Sequence, residues 1–317
     1  MKSLGGFLEL EANHGNHYHP NSMAVNSGRN ALKLLLQNCS IQEIYVPYFI
    51  CQVVVDVIQE LNIKIFFYDI DEQFEIIGNI PKSSCLLYVN YFGIKQEYVE
   101  KLKHESLIID NSQAFFAKPL NGNHTFYSPR KFFGIPDGGY LTTNLPIGSW
   151  NQLSTDSSED RFKHLLKRVE LGPESAYSNF TYNENIIKNL EVLKMSKLTT
   201  KILHSVDYEN IKNTRRSNFE IYDSRLSRLN EYNVSIGKND VPLCYPLVVN
   251  HNQLRELLKN QRIYIPYYWP KIEDRYGKNN SAAKLSHKIF CLPLNQGIEK
   301  EDVEYIVNKV QAVLINT

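Results

Sequence analysis

Short apolar runs alternate with stretches of helical spacing along the first half of the chain. The runs at residues 44–46, 64–68, 86–89 and 107–109 predict strands, and residues 51–61 have the spacing of a helix. Short buried strands joined by helices are typical of a parallel, doubly wound sheet, whose ligands bind at the carboxyl ends of the strands. We therefore expect an α/β protein with its site at those strand ends.

The second half of the chain predicts a smaller α+β unit. Its predicted elements are helices at 186–211, 214–229, 252–261 and 299–315, and strands at 243–249, 263–266 and 289–294. The charged residues 151–170 and the turn at Gly172-Pro173 mark the exit from the first unit. We predict a large domain at residues 1–195 and a small C-terminal domain at residues 196–317.

The first 20 residues are rich in Gly, Asn and His, and they predict an N-terminal arm with a short edge strand at 7–10. His14, His17 and His19 lie at short spacing and are candidate metal ligands. The cluster itself contains no carboxylate or cysteine, which favours a polar loop over a metal site. We therefore predict no metal.

The composition of the chain mainly excludes classes of function. The 317 residues contain 35 Lys and Arg against 34 Asp and Glu, so the net charge is +1 and no global field attracts nucleic acid or an anionic membrane. The sequence shows no signal-peptide core and no apolar run long enough to span a membrane, and we expect a cytoplasmic protein. Five widely spaced cysteines predict reduced thiols without a disulfide framework.

Two polar stretches lie where an α/β protein binds ligands. Ser27-Gly28 opens a predicted helix, and this position suits either an anion, through unpaired helix N–H groups, or an ordinary N-cap. Asp110 closes a predicted strand and is followed by Asn111-Ser112-Gln113. Its carboxylate is placed to face a ring nitrogen or a metal, or to cap the next helix. At Ser27-Gly28 and at Asp110, ligand binding and helix capping are both open.

Lys131 stands between Arg130 and two phenylalanines, just before glycine-bearing turns. An amine walled by apolar surface has a lowered pKa and is a better nucleophile, as a Schiff-base lysine requires. The alternative is a solvated loop charge. A predicted strand at residues 140–143 places Lys131 on a connection between two strands.

In chain order, these stretches resemble the DegT/DnrJ/EryC1/StrS family of sugar aminotransferases, fold-type-I enzymes that use pyridoxal 5′-phosphate (PLP). The resemblance implies a large, mixed and mostly parallel sheet flanked by helices, followed by a smaller α+β domain. Five motifs in the family's order carry it: Asn26-Ser27-Gly28-Arg29-Asn30-Ala31-Leu32, Val46-Pro47-Tyr48-Phe49 with Tyr68-Asp69-Ile70-Asp71, Asp110-Asn111-Ser112-Gln113-Ala114, Lys131 with Gly134 and Asp137-Gly138-Gly139, and Tyr268-Trp269-Pro270 with Leu292-Pro293-Leu294-Asn295.

The resemblance also implies roles for individual residues. Lys131 falls on the Schiff-base lysine and Asp110 on the aspartate that meets the pyridine nitrogen, so these two are the predicted catalytic residues. The predicted cofactor-binding residues are Gly28, Arg29, Asn30, Tyr48, Phe49, Cys51, Asp110, Gln113, Ser128 and Lys131.

The sequence departs from the family pattern at several places. Arg29 replaces the phosphate-binding threonine, and the segment before Lys131 is one residue longer and lacks the usual histidine, so that either Thr125 or Ser128 supplies the phosphate hydroxyl. Cys51 falls on the ring-stacking aromatic, which leaves Tyr48 or Phe49 as alternatives. The family's Asn-Tyr-Arg-Met segment, which reaches the neighbouring subunit, is not found. The chain thus resembles a divergent member of the family.

The resemblance implies a homodimeric aminotransferase acting on small molecules. It would move an amino group from an amino acid to a keto-sugar nucleotide or related ketone, with glutamate as the leading candidate donor. The product would be used in a surface polysaccharide or a secondary metabolite. Two alternatives are a PLP-dependent lyase, dehydratase or racemase, and a non-catalytic binding protein with the same fold.

Overall fold

The computed structural model describes residues 6, 8–12 and 15–315, and an eight-stranded sheet is its largest element. The strands of this sheet are β1 (Met23–Val25), β2 (Glu43–Pro47), β3 (Lys64–Ile70), β4 (Ile76–Ile77), β5 (Cys85–Val89), β6 (Ser106–Asn111), β7 (His124–Tyr127) and β8 (Gly139–Thr142). Their order is β1-β8-β7-β6-β5-β2-β3-β4. The central strands β7, β6, β5, β2 and β3 run parallel, and β1, β4 and β8 pair antiparallel at the sides. The predicted mixed, mostly parallel sheet is confirmed.

Helices pack against this sheet and build the C-terminal part. They are α1 (Gly28–Gln37), α2 (Gln52–Glu60), α3 (Gln96–Lys101), α4 (Lys163–Asn189), α5 (Lys197–His204), α6 (Tyr208–Leu226), α7 (Leu254–Asn260), α8 (Ile272–Tyr276), α9 (Ser281–Lys288) and α10 (Lys300–Ile315). α4 is interrupted at Gly172, whose φ of +81° and ψ of 175° are not helical, at the position of the predicted turn. α1 packs against β7 and β8, and α2 against β3. A two-stranded sheet of β9 (Tyr245–Val248) and β10 (Ile289–Leu292) packs against α6, which also contacts α10. In the described part of the chain, no helix has the length and apolar character of a membrane span.

Two apolar clusters form the interior. The larger one joins the strands of the main sheet to α6, α10 and the β9–β10 pair. The smaller one contains Phe115, Phe132 and Phe133 together with Leu203 of α5 and Ile211 of α6. Apolar contacts therefore cross the predicted boundary at residue 195, and the division into two domains stays a prediction.

Three predicted elements are wrong. Residues 8–10 belong to no strand, and Phe7 lies outside the described residues. The helix predicted at 186–211 falls on three helices, because α4 ends at Asn189, Ser196 is the N-cap of α5, and α6 begins at Tyr208. Residues 263–266 form no strand, since the Arg255 guanidinium donates to the carbonyls of Ile265 and Pro266, where a neighbouring strand would pair.

Candidate active site

The parallel pairing of β6 and β7 brings the two predicted catalytic residues together. Asp110 lies opposite Phe126 of β7 near the carboxyl end of β6, and Lys131 follows β7 in a short 3₁₀ turn, Pro129–Lys131. The Lys131 amine donates to the hydroxyl of Ser112 at 3.2 Å. The backbone N–H of Ser112 donates to the Asp110 carboxylate at 2.8 Å. The site is thus a lysine and a carboxylate joined through one serine.

Asp110 is only 3 % exposed. Burial raises the pKa of its carboxyl, while the nearby Lys131 charge and the hydrogen bonds from Ser112 lower it. The carboxylate is bonded to a backbone N–H two residues on, so it stabilises the turn after β6 and does not cap a helix. Of the two alternatives left open for this residue, the structure disfavours the helix cap.

The apolar surroundings expected for Lys131 are wrong. Phe132 and Phe133 are buried in the smaller apolar cluster, whereas Lys131 itself is exposed. Consecutive side chains in a 3₁₀ turn point about 120° apart, so aromatic neighbours in sequence need not cover the amine. The prediction that Lys131 connects two strands is confirmed, because it lies between β7 and β8.

The start of α1 touches the segment before Lys131. The Ser27 hydroxyl accepts from the backbone N–H of Asn30 at 3.1 Å, so Ser27 is an N-cap. A Cβ on Gly28 would lie 3.1 Å from the Ser128 Cβ and 3.2 Å from the Tyr127 carbonyl oxygen. Only glycine fits this approach without a shift of the neighbours, and it puts the positive end of α1 beside Ser128.

Two predicted phosphate ligands direct their side chains elsewhere. The Arg29 guanidinium donates to the carbonyl of Lys188 in α4. The Asn30 amide is buried and donates to the side chain of Asn26 at 2.8 Å and to the carbonyl of Glu191 at 2.8 Å. Both side chains tie α1 to the end of α4, so any contact with a phosphate is left to their backbone N–H groups.

Gln113 is fully buried beside this site. Its amide oxygen accepts from the backbone N–H of Phe92 at 2.8 Å, while its amide nitrogen has no partner among the described residues. The Thr125 hydroxyl is also buried and without such a partner. Buried polar atoms are seldom left unpaired, so these two fit polar groups of a ligand, such as those of PLP.

The three candidates for ring stacking are placed differently. Tyr48 stacks on Phe67, with ring centroids 5.1 Å apart. Phe49 is fully buried and packs edge-on against Trp269 at 4.5 Å, so neither of its faces is free for a cofactor. Cys51 is half-buried at the N-cap of α2. The structure gives none of these residues the open aromatic face that stacking needs.

Two residues with a structural part in this site had no role assigned from the sequence. One is Ser112, which links Lys131 to Asp110. The other is Asp137, which is fully buried and accepts hydrogen bonds from the backbone N–H of Ser196 at 2.8 Å, from its hydroxyl at 2.6 Å and from the Thr199 hydroxyl. Asp137 thereby joins the turn after Lys131 to the start of α5. Its position before Gly138-Gly139 was the only sequence signal.

The histidine cluster takes part in packing. His17 contacts the Tyr140 hydroxyl at 3.1 Å, His19 contacts the Phe115 carbonyl at 2.7 Å, and His14 lies outside the described residues. Within residues 6, 8–12 and 15–315, no group of three or more His, Cys, Asp or Glu side chains could hold a metal ion. All five cysteines are free thiols.

The chain resembles known proteins both in part of its sequence and in its fold. The DegT/DnrJ/EryC1/StrS aminotransferase family matches residues 192–311, a range that contains none of the predicted catalytic or cofactor-binding residues. No curated protein matches the sequence.

Solved structures match nearly the whole chain. DesV from S. venezuelae, solved in complex with a ketimine intermediate, has a TM-score of 0.65 at 16 % identity, covering 92 % of this chain and 84 % of its own. The sugar aminotransferase CalS13 from Micromonospora echinospora has a TM-score of 0.57 at 13 % identity, covering 92 % and 87 %. NtdA from Bacillus subtilis, with bound cofactor PMP, has a TM-score of 0.63 at 15 % identity, covering 93 % and 73 %.

The family match is confined to the C-terminal part, whereas the shared fold covers nearly the whole chain. Because these structures cover more than nine-tenths of the chain, the shared fold includes most of the region before residue 192, where the lysine and the aspartate lie. Residues 192–311 of this chain are therefore similar to the DegT/DnrJ/EryC1/StrS aminotransferase family, and nearly the whole chain shares the fold of these aminotransferase structures.

Proposed function

We propose that this protein transfers an amino group from an amino acid to a keto-sugar nucleotide or a related ketone, with glutamate as the leading candidate donor. The observation that carries the proposal is the linked arrangement of Lys131, Ser112 and Asp110 at the ends of two parallel strands. A sugar acceptor is supported by the sugar aminotransferase among the structural neighbours. The proposal includes a cytoplasmic location and a product used in a surface polysaccharide or a secondary metabolite.

Lys131 would bind the PLP aldehyde carbon and later move a proton to and from the substrate carbon. When bound, PLP supplies an electron sink for the carbanion that forms at this carbon. A positioned amine of this kind accelerates proton transfer by about 10² to 10⁴. The Ser112 hydroxyl, 3.2 Å from the Lys131 amine, would orient it between these uses.

Asp110 would hold the proton on the pyridine nitrogen. Its burial strengthens any charge-assisted hydrogen bond, because the local dielectric is lower than that of water. At the other end of the ring, the start of α1 at Gly28 and the hydroxyl of Ser128 would hold the phosphate, with Arg29 contributing its backbone N–H. The buried amide nitrogen of Gln113 is free to donate to the cofactor.

We also propose that the protein is a homodimer that associates through α4. Large exposed apolar side chains lie on both segments of α4, which is interrupted at Gly172: Leu166 (56 % exposed) and Val169 (84 %) before the break, and Tyr177 (68 %) and Phe180 (42 %) after it. A concentration of large exposed apolar side chains marks an interaction surface. A second copy is the occupant implied by the family resemblance.

The test of the cofactor is spectroscopic. Purified protein given PLP should develop a visible absorption band that borohydride abolishes, with a reduced cofactor fixed covalently to the peptide that contains Lys131. Lys131→Ala should lose the covalent label, and Lys197→Ala, an exposed lysine on α5, should keep it. A wild type that stays colourless and unlabelled would refute PLP chemistry at this site.

The test of the reaction uses single amino donors. L-glutamate should convert the band to that of the pyridoxamine form, and a keto-sugar nucleotide should then restore it. If no amino acid converts the band while the label on Lys131 persists, the lyase, dehydratase or racemase alternative gains support over transamination. If the label is also absent, the non-catalytic alternative does.

A further inference from the structure

Arg215 of α6 is a charged residue that is buried with no charged partner among the described residues. Its side chain is 1 % exposed, and the three oxygens that it binds are neutral: the carbonyls of Pro242 and Leu243, both at 3.1 Å, and the amide oxygen of Gln296 at 3.2 Å. Burial lowers the pKa of this guanidinium to about 10. Burying an uncompensated charge is costly, so its position calls for a reason beyond packing.

On one side, Arg215 contacts Phe132, the residue that follows Lys131. Its guanidinium carbon lies 4.7 Å from the centre of the Phe132 ring, over the ring face. The Gln296 amide that accepts from Arg215 donates in turn to the Phe132 carbonyl at 2.8 Å. Phe132 is therefore held at its ring and at its backbone, and Lys131 is directly attached to it.

On the other side, a series of hydrogen bonds connects Arg215 to Gln113. The carbonyl of Leu243 accepts from Arg215, and the backbone N–H of Leu243 donates to the carbonyl of Phe92 at 2.7 Å. The N–H of Phe92 donates to the Gln113 amide oxygen at 2.8 Å. These contacts form a continuous chain from Gln113, through Phe92, Leu243, Arg215 and Gln296, to Phe132.

We propose that Arg215 is a positioning residue that fixes the Lys131 turn and Gln113 relative to each other, through the C-terminal part of the chain. The expected effect of Arg215 on the bound cofactor rests on the proposed function, in which Lys131 binds PLP. The claim that Arg215 fixes the turn does not depend on the proposed function. Arg215 touches neither the reacting lysine nor Asp110, so its effect passes through Phe132 and Gln296.

Lysine would not replace Arg215. The guanidinium directs several N–H donors in one plane and stacks flat on a ring, whereas an ammonium is a compact charge that cannot do both. We therefore expect Arg215→Lys to release Phe132 even where the protein folds. Gln296 offers a gentler variant, because this residue is exposed and Gln296→Met keeps its size while removing both hydrogen bonds.

The experiment is hydrogen exchange on the cofactor-free full chain, followed by mass spectrometry. The backbone N–H groups of Phe132 and Phe133 both donate to the Pro129 carbonyl, at 2.9 and 3.0 Å, and they report on the turn. In Gln296→Met, exchange of peptides spanning 129–135 should quicken about tenfold, the loss expected for hydrogen bonds of this strength. Arg215→Lys should quicken it at least as much.

Two matched variants serve as controls. Gln311→Met removes another side-chain amide that donates to a carbonyl, that of Arg225, and Arg216→Lys changes the next residue of α6, which binds the carbonyls of Gly237 and Asp240. Both should leave exchange at 129–135 unchanged. Unchanged exchange in Gln296→Met as well would overturn the proposal, and this variant decides the question if Arg215→Lys does not fold.

A second readout separates positioning from general stability. In the PLP-loaded protein, the pH midpoint of the visible band should shift in Gln296→Met while its thermal midpoint matches that of Gln311→Met. A thermal midpoint that falls with no shift of the band would show a structural role alone and overturn positioning. If the wild type binds no PLP, the exchange experiment still decides whether Arg215 holds the turn, and only the proposed function fails.

Discussion

The amine of Lys131 lies 3.2 Å from the hydroxyl oxygen of Ser112, and the backbone N–H of Ser112 donates to Asp110 at 2.8 Å. One residue therefore touches both members of the candidate catalytic pair. Because Ser112 follows β6 by a single residue, it is held by the same strand that places Asp110. The lysine is oriented from the strand next to its own, and the sheet register sets the distance between the two groups.

Ser112→Ala should weaken catalysis without preventing cofactor binding. The variant loses the hydroxyl that binds Lys131 but keeps the backbone N–H that binds Asp110. A hydrogen bond to a charged group contributes about 1.5–3 kcal/mol, so kcat should fall roughly 10- to 100-fold. Steady-state kinetics and the covalent label on Lys131 measure the two effects. Ser84→Ala, an exposed hydroxyl that binds the Pro81 carbonyl, should have no effect on either.

His19 should make stability depend on pH. Its pKa is lowered from 6.5 to about 4, chiefly by burial, with the Phe115 carbonyl opposing this shift and the neighbouring His17 adding to it. A histidine with a lowered pKa in the folded state stabilises the fold above pH 6.5, and this contribution is lost as the pH falls toward 4.

Urea unfolding at pH 7.5 and at pH 4.5 tests this. His19 alone should cost the wild type roughly 2–3 kcal/mol of unfolding free energy between the two conditions. His19→Gln should be less stable at pH 7.5 but lose that much less on acidification. Equal losses in wild type and His19→Gln would refute the burial of a neutral His19.

Gly93→Ala should disturb the contact between the site and the C-terminal part. Gly93 has φ +71°, and a Cβ there would lie 2.7 Å from the Val241 carbonyl oxygen and 2.9 Å from that of Gln113. Backbone strain alone costs about 1–3 kcal/mol, and the clash adds to it. Gly277→Ala is the matched control, with φ +82° and open space around its Cβ.

The measurement is the unfolding free energy together with PLP affinity. Gly277→Ala should lose stability through strain alone and bind PLP as the wild type does. Gly93→Ala should lose more stability and bind PLP more weakly, because the clash pushes on Gln113. Equal effects in the two variants would show that close packing at Gly93 has no part in the site.

The exposed apolar side chains of α4 should set the oligomeric state. One chain has a mass of 36.8 kDa, and light scattering of the wild type should give twice this value. Val169→Asp combined with Tyr177→Asp should give the mass of a single chain, because charges oppose the burial of an apolar interface. Ser175→Asp, also exposed on α4 but about 200° around the helix from Tyr177, should remain dimeric. A wild type of single-chain mass would refute the dimer.

Local patterns were enough to predict the elements that bury a regular apolar face. The runs at 44–46, 64–68, 86–89 and 107–109 lie in β2, β3, β5 and β6, because strands buried in a parallel sheet must be apolar nearly throughout. The pattern failed where a tertiary contact overrides it. Arg255 occupies the carbonyls of residues 265 and 266, and Ser196, bound to Asp137, interrupts the predicted helix at 186–211.

The sequence by itself determined the candidate site residues of this protein, because residue types in a fixed order are a property of the chain: a lysine after one strand, an aspartate at the end of another, and a glycine at a helix start. Only the tertiary structure decided how they meet. It exposes Lys131 while burying its aromatic neighbours, gives Ser112 its place between lysine and carboxylate, and encloses Phe49 against Trp269. Strand register and long-range packing set these distances, and neither is written in the local pattern of residues.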